Sequence, residues 1–106
     1  MSHVTTHVLD SVHGRPAAGL HVRLLHGMEE LGTGVTDADG RVASLGPESL
    51  HPGTYQLVFA TGDWFADHGV ATFYPEVRIA FGIAGDEHYH VPLLLSPFGY
   101  STYRGS

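Results

Sequence analysis

The chain has no cysteine, no lysine and no long apolar run. Without cysteine, disulfides and thiolate metal sites are excluded. Five arginines carry all the fixed positive charge, and against eleven acidic residues the formal net charge is −6. That balance argues against long-range steering of nucleic acid, so no nucleic-acid partner is expected. A membrane helix needs about 20 continuous apolar residues, and no segment approaches that length, so no membrane partner is expected either. Residues 1–6 hold neither a basic region nor an apolar stretch; no signal peptide is expected there, and the cytoplasm is the expected location. No linker, repeat or low-complexity tract divides the 106 residues, which read as a single domain over 1–106. A domain of this size has room for one core and buries about 65% of the surface its unfolded chain exposes.

What is present is a series of short alternating segments punctuated by Gly, Pro and Asp, the pattern of an all-β sandwich or barrel. Strands are expected over 3–9, 20–26, 31–36, 41–43, 53–60, 76–83, 88–95 and 98–104. A long turn spans 10–19, and Asp37-Ala38-Asp39-Gly40 is a tight-turn signal. Residues 61–69 read as one short helix, with Thr61 or Asp63 as N-cap, Gly69 at its close, and Trp64 and Phe65 anchoring it to the core. Pro92 sits inside an expected strand and cannot donate to a ladder, so a bulge or a missing hydrogen bond is expected there.

Strand side chains alternate between faces. Tyr89, Val91, Leu93 and Leu95 form one wholly apolar face, which assigns them to the core and sends His88, His90, Pro92 and Leu94 outward. In the first strand Val4, Thr6 and Val8 share one face, while His3, Thr5, His7 and Leu9 share the other. His7 and His90 therefore project from outer faces and converge if their strands share a sheet. An outer face that mixes Leu9 and Leu94 with histidine is only half polar, which suggests cover by another subunit. The chain's last residues are as dense in chemistry: Tyr103-Arg104-Gly105-Ser106 follows closely on the alternating-His strand. Domain ends are commonly frayed and polar; here the final residues, with the terminal carboxylate, are expected to sit inside a built site.

Nine histidines in this length need an explanation. One reading makes them solvated or interface residues. A second makes His88-x-His90 with His7 a zinc site, although no carboxylate accompanies the pair in ligand spacing. A third is metal-free acid–base work, in which a neutral imidazole accepts a proton and Arg41, placed just after the Asp37–Gly40 turn, offsets developing negative charge. His88 ranks behind His90 because it lies at the strand's entrance. His3, His13, His21, His26, His51 and His68 are assigned to packing or the surface.

Thr6-His7-Val8-Leu9-Asp10, Gly14-Arg15-Pro16-Ala17, Thr36-Asp37-Ala38-Asp39-Gly40-Arg41 and the run from His88 to Ser106 together resemble the transthyretin-related 5-hydroxyisourate hydrolases. The resemblance extends from His7 to the last residue, and the Tyr-Arg-Gly-Ser ending is its most specific element. It implies an all-β, transthyretin-like two-sheet sandwich of eight strands with one short helix, assembled as a homotetramer (a dimer of dimers) whose facing sheets enclose a channel. It implies hydrolysis of 5-hydroxyisourate to 2-oxo-4-hydroxy-4-carboxy-5-ureidoimidazoline in urate degradation, with no cofactor and no metal. His7, Arg41, His90 and Ser106 take the catalytic positions, and Tyr103, Arg104 and Gly105 the substrate-binding ones. The rival reading is a transthyretin-like carrier that holds small ligands without turning them over. Transthyretin shares Ser96-Pro97 and Tyr100-Ser101-Thr102 but lacks the two histidines and the arginine.

Overall fold

A computed structural model describes residues 2–106. The described residues form nine strands and one helix: β1 (Val4–Asp10), β2 (Arg15–Pro16), β3 (His21–His26), β4 (Glu29–Val35), β5 (Arg41–Val42), β6 (Gly53–Phe59), α1 (Thr61–Asp67), β7 (Val77–Ile83), β8 (Tyr89–Ser96) and β9 (Gly99–Thr102). One sheet runs β2-β1-β8-β9, with β5 also on β1; the other runs β4-β3-β6-β7. The two sheets close on a core drawn from alternate positions. Tyr89, Val91, Leu93 and Leu95 of β8 are buried, as are Val4 and Val8 of β1, Val22 and Leu24 of β3, and Leu57 and Phe59 of β6. This is the expected two-sheet sandwich, and no helix among the described residues is long and apolar enough to cross a membrane.

Three local features depart from the expected elements. The ninth strand is β2, a two-residue edge in which Pro16 faces Leu9 and Arg15 faces Asp10 across β1. It lies inside the stretch 10–19 that reads as a turn, and an edge is where a proline is tolerated in a sheet. The helix has no side-chain N-cap: its cap position is Ala60, and the Thr61 hydroxyl donates instead to the Tyr74 carbonyl at 3.0 Å. Trp64 and Phe65 are buried in the core as expected, and the indole N–H donates to the Ala18 carbonyl at 2.7 Å.

The third departure shapes the chain's end. The last strand stops at Thr102 rather than at 104. Leu93 faces Thr102 in the β8–β9 ladder, and an isolated bridge joins His90 to Gly105 in that same register. The ladder is interrupted between these pairs, where Pro92 has no N–H to offer the neighbouring chain. β8 itself runs through Pro92 without slipping, since its parallel pairing with β1 is continuous from Val4–Tyr89 to Asp10–Leu95.

Candidate active site

The site begins with register. The parallel pairing sets Thr5 beside His90 and His7 beside Pro92, and the antiparallel pairing of β1 with β5 sets His7 opposite Arg41. Paired residues project to the same side of a sheet, as do positions two apart on one strand. Thr5, His7, Arg41 and His90 therefore share the face turned away from the core.

Arg41 is delivered by the turn before it. The Asp37 carboxylate accepts the Asp39 N–H at 2.9 Å and the Arg41 N–H at 3.0 Å. Backbone bonds from Asp37 N–H to the Arg41 carbonyl and from Gly40 N–H to the Asp37 carbonyl close the loop, and the Val8 N–H donates to the Gly40 carbonyl at 2.7 Å to lock it against β1. The bond from the Arg41 N–H is the largest influence holding the Asp37 carboxyl below its ordinary range, aided by the bond from Asp39 and by the nearby charge of Arg41 and His7. Gly40 has φ +77°, and any side chain there would press into the Val8 carbonyl oxygen. Only glycine makes that turn without strain.

A cleft of about 290 Å³ opens beside these groups, with Thr5, Arg41, His88, His90 and Ser106 among its lining residues. His90 is half-buried within it. Burial pulls its imidazole below the ordinary value of 6.5, and the positive charges of Arg41, His88 and His7 pull it further. All four influences favour the neutral ring, the form in which a histidine accepts a proton. The Thr5 hydroxyl lies 2.8 Å from His90 Nδ1 and 2.9 Å from His88 Nε2. From the other side the Gly105 N–H donates to the His90 carbonyl at 2.9 Å. A Cβ on Gly105 would stand 2.6 Å from His90 Cδ2, so the chain end packs directly on the imidazole.

Of the residues expected from sequence, the structure brings Arg41, His90, Gly105 and Ser106 together at this cleft. His7 is next to it on the same strand face, half-buried and close enough for its charge to act on His90. Tyr103 is 56% exposed and does not line the cleft. Arg104 does not line it either: its guanidinium sits 4.6 Å over the Tyr89 ring and 4.0 Å from the Glu87 carboxylate. His3, assigned to the outer face with His7, is buried. Its Nδ1 accepts the Leu50 N–H and its Nε2 donates to the Glu87 carbonyl, which fixes one tautomer and leaves it a packing residue.

Thr5 is the contact that the sequence did not flag. Its place two residues before His7 puts it on the right face, but its partnership with His88 and His90 depends on register with a strand 85 residues away. A larger cavity, about 640 Å³, lies near Arg15, Trp64 and Phe65. Its histidines are engaged locally, His13 with the Asp10 carboxylate at 2.8 Å and His68 Nδ1 with the Trp64 carbonyl at 2.7 Å. None of the expected catalytic residues reaches it. Among the described residues no three His, Asp or Glu side chains cluster as metal ligands.

Residues 4–105 match the sequence model of the HIUase/Transthyretin family. A 5-hydroxyisourate hydrolase of Salmonella dublin is 48% identical over 109 residues, which cover 97% of this chain and 80% of that protein. The structure of Klebsiella pneumoniae 5-hydroxyisourate hydrolase superposes with a TM-score of 0.91 at 42% identity, covering 97% of this chain and 92% of the other. Sea bream transthyretin, solved in complex with thyroxine, superposes with a TM-score of 0.90 at 30% identity, covering 96% and 93% of the two chains.

Proposed function

Because the chain belongs to the HIUase/Transthyretin family, we propose that it is a 5-hydroxyisourate hydrolase working at the cleft between β1, β5, β8 and the chain end. The observation that carries this reading is a half-buried histidine in a cleft that Arg41 also lines, its imidazole pulled below the ordinary value by burial and then by the arginine's charge. Hydrolysis of a cyclic amide needs a base for water, a donor for the leaving nitrogen and positive charge where the oxyanion develops. His90 is the base. It takes a proton from water as the oxygen attacks the ring carbonyl, with no covalent enzyme intermediate. Arg41 presents a planar fork of N–H donors to the carbonyl oxygen and offsets its charge as the tetrahedral centre forms. His7, on the Arg41 side, protonates the departing ring nitrogen. Ring opening then yields 2-oxo-4-hydroxy-4-carboxy-5-ureidoimidazoline, with no metal or cofactor in the sequence of steps.

Ser106 positions the water, and Gly105 holds the His90 backbone. Tyr103 and Arg104 support the site by fixing the path of the chain end, with Arg104 stacked on Tyr89 as its anchor. The working assembly is a homotetramer. Phe98, Tyr100 and Tyr103 leave a large apolar surface exposed in and on either side of β9, and β4, β7 and β9 end their sheets with open edges. Exposed edges and apolar patches of this kind are satisfied by pairing with further copies.

The carrier reading is favoured by one observation, the likeness to the thyroxine-bound transthyretin. A carrier, however, has no use for a histidine and an arginine lining one cleft. Freshly generated 5-hydroxyisourate absorbs in the near ultraviolet, and its decay separates the two readings. The chain should accelerate that decay, and His90→Asn should lower the rate by at least about 10²-fold, the scale of a lost acid–base group. Ligand binding with no acceleration would establish the carrier instead.

A further inference from the structure

We propose that the Thr5 hydroxyl is a proton relay joining His90 to the exposed His88, so that positive charge generated at the half-buried base passes to the solvent side of the cleft. The inference rests on the hydrolytic reading of the cleft. Its basis is one oxygen shared by two imidazoles, His90 Nδ1 at 2.8 Å and His88 Nε2 at 2.9 Å, on a threonine that is 7% exposed. The two rings lie 6.3 Å apart and close to parallel, 27° between planes. The shared hydroxyl bridges them.

A hydroxyl carries one proton and two acceptor lone pairs. If both imidazoles donated to it, its own proton would be left without either ring as acceptor in a nearly buried position, a costly arrangement. If neither donated, its single proton would serve only one of them. The complementary arrangement has one ring nitrogen donating to Oγ1 and Oγ1–H donating to the other. Two such states exist. In the first, His90 Nδ1–H donates to Thr5, Thr5 donates to His88 Nε2, and His90 Nε2 presents a free lone pair. In the second, every proton has moved one step: His88 Nε2–H donates to Thr5, Thr5 donates to His90 Nδ1, and His90 Nε2 carries hydrogen.

The first state is a base and the second an acid. Proton transfer from water to His90 Nε2 converts one into the other. The His90 Nδ1 proton moves to Thr5 Oγ1, the Thr5 proton moves to His88 Nε2, and His88, already protonated at Nδ1, becomes the imidazolium. Thr5 ends as a hydroxyl and His90 as a neutral ring, so no atom or charge is lost. The base is reset when His90 Nε2 gives up its proton to solvent water as the His88 Nε2 proton returns through Thr5 to His90 Nδ1, and His7 regains from solvent the proton it gave to the leaving nitrogen. The charged groups facing His90 are Arg41 from β5, His7 from β1 and His88 from its own segment, all repelling a cation there. The Ser106 end of the chain lines the same cleft. Moving the cation out to His88 increases its distance from Arg41's side of the cleft and returns it to water.

Thr5→Val removes the hydroxyl and keeps the shape, and Thr5→Ser restores the hydroxyl. Thr5→Val should lower kcat by between about tenfold and 10²-fold, short of losing the base itself, with KM held within about twofold. Thr5→Ser should recover most of the loss. His88→Gln, at an exposed position, should reproduce the Thr5→Val loss and guards against a Thr5 variant that fails to fold. Nitrogen-15 NMR of the imidazoles should show linked tautomers of His88 and His90 in the parent and independent ones in Thr5→Val. An active parent with Thr5→Val or His88→Gln at parental kcat, or with unlinked tautomers, overturns the relay alone. A folded parent that leaves substrate decay unchanged overturns the hydrolytic reading and the relay with it.

Discussion

Gly105 donates its backbone N–H to His90 at a point where even a methyl group would stand 2.6 Å from the imidazole. The residue therefore acts through what it lacks, letting the chain end lie flat on the base. Gly105→Ala should rotate the ring and lower kcat/KM on the order of 10²-fold, the cost of displacing a reacting group by about 1 Å. The sandwich should survive, as read by circular dichroism; unchanged activity would show that the ring tolerates displacement. His90 supplies the pH dependence. Its imidazole protonates below the ordinary 6.5, first through burial and then through Arg41, His88 and His7. Because its neutral form is the base, activity should persist as pH falls through 6.5 and be lost only on passing the depressed value. Removing the Arg41 charge with Arg41→Met should raise the His90 titration, followed by proton NMR. A midpoint at or above 6.5 in the parent would contradict the burial and charge argument.

Elements of the fold were legible wherever a periodic face decided them. β8 reads from Tyr89 to Leu95 because four alternate apolar side chains fill one core, and that same alternation places His90 on the outward face that also bears His7. The helix is readable as an element but not at its start, because the Thr61 hydroxyl answers to Tyr74, a partner set by tertiary packing. β2 is two residues long and exists only as an answer to β1, so no local pattern marks it. The early end of β9 follows from Pro92 on the opposite strand, whose effect on Tyr103 and Arg104 is felt only through register. The turn before β5 is the element on which the site leans most. Asp37→Ala removes the acceptor for the Asp39 and Arg41 N–H groups and should lower turnover by about tenfold or more through loss of Arg41 geometry. Asp37→Asn, which keeps a carbonyl oxygen, should fall between the two. Parental rates in Asp37→Ala would mean that the backbone bonds within the turn and from Val8 suffice to hold it.

At the scale of the whole molecule, the sheet that bears the cleft takes its strands from opposite ends of the described chain, and this is why the candidate residues were nameable from sequence while their mutual contacts were not. His7, Arg41 and His90 could each be picked out by type and face. The bridge from Thr5 to His88 and His90 required knowing that β1 runs parallel to β8, a pairing that joins Thr6 to Val91 across 85 residues. That pairing also has a bearing on how the protein is made. A ribosome adding about 5–20 residues per second produces β8 roughly 4–17 s after β1. Throughout that interval β1 can turn back on β2 and β5 but has no strand for its other edge, and the emerging chain carries half a cleft with an unpaired flank. The sheet β4-β3-β6-β7 has no such wait, since its members follow one another closely and pair antiparallel. Synthesis therefore sets an order in which one sheet precedes the other, and the chemistry arrives with the second.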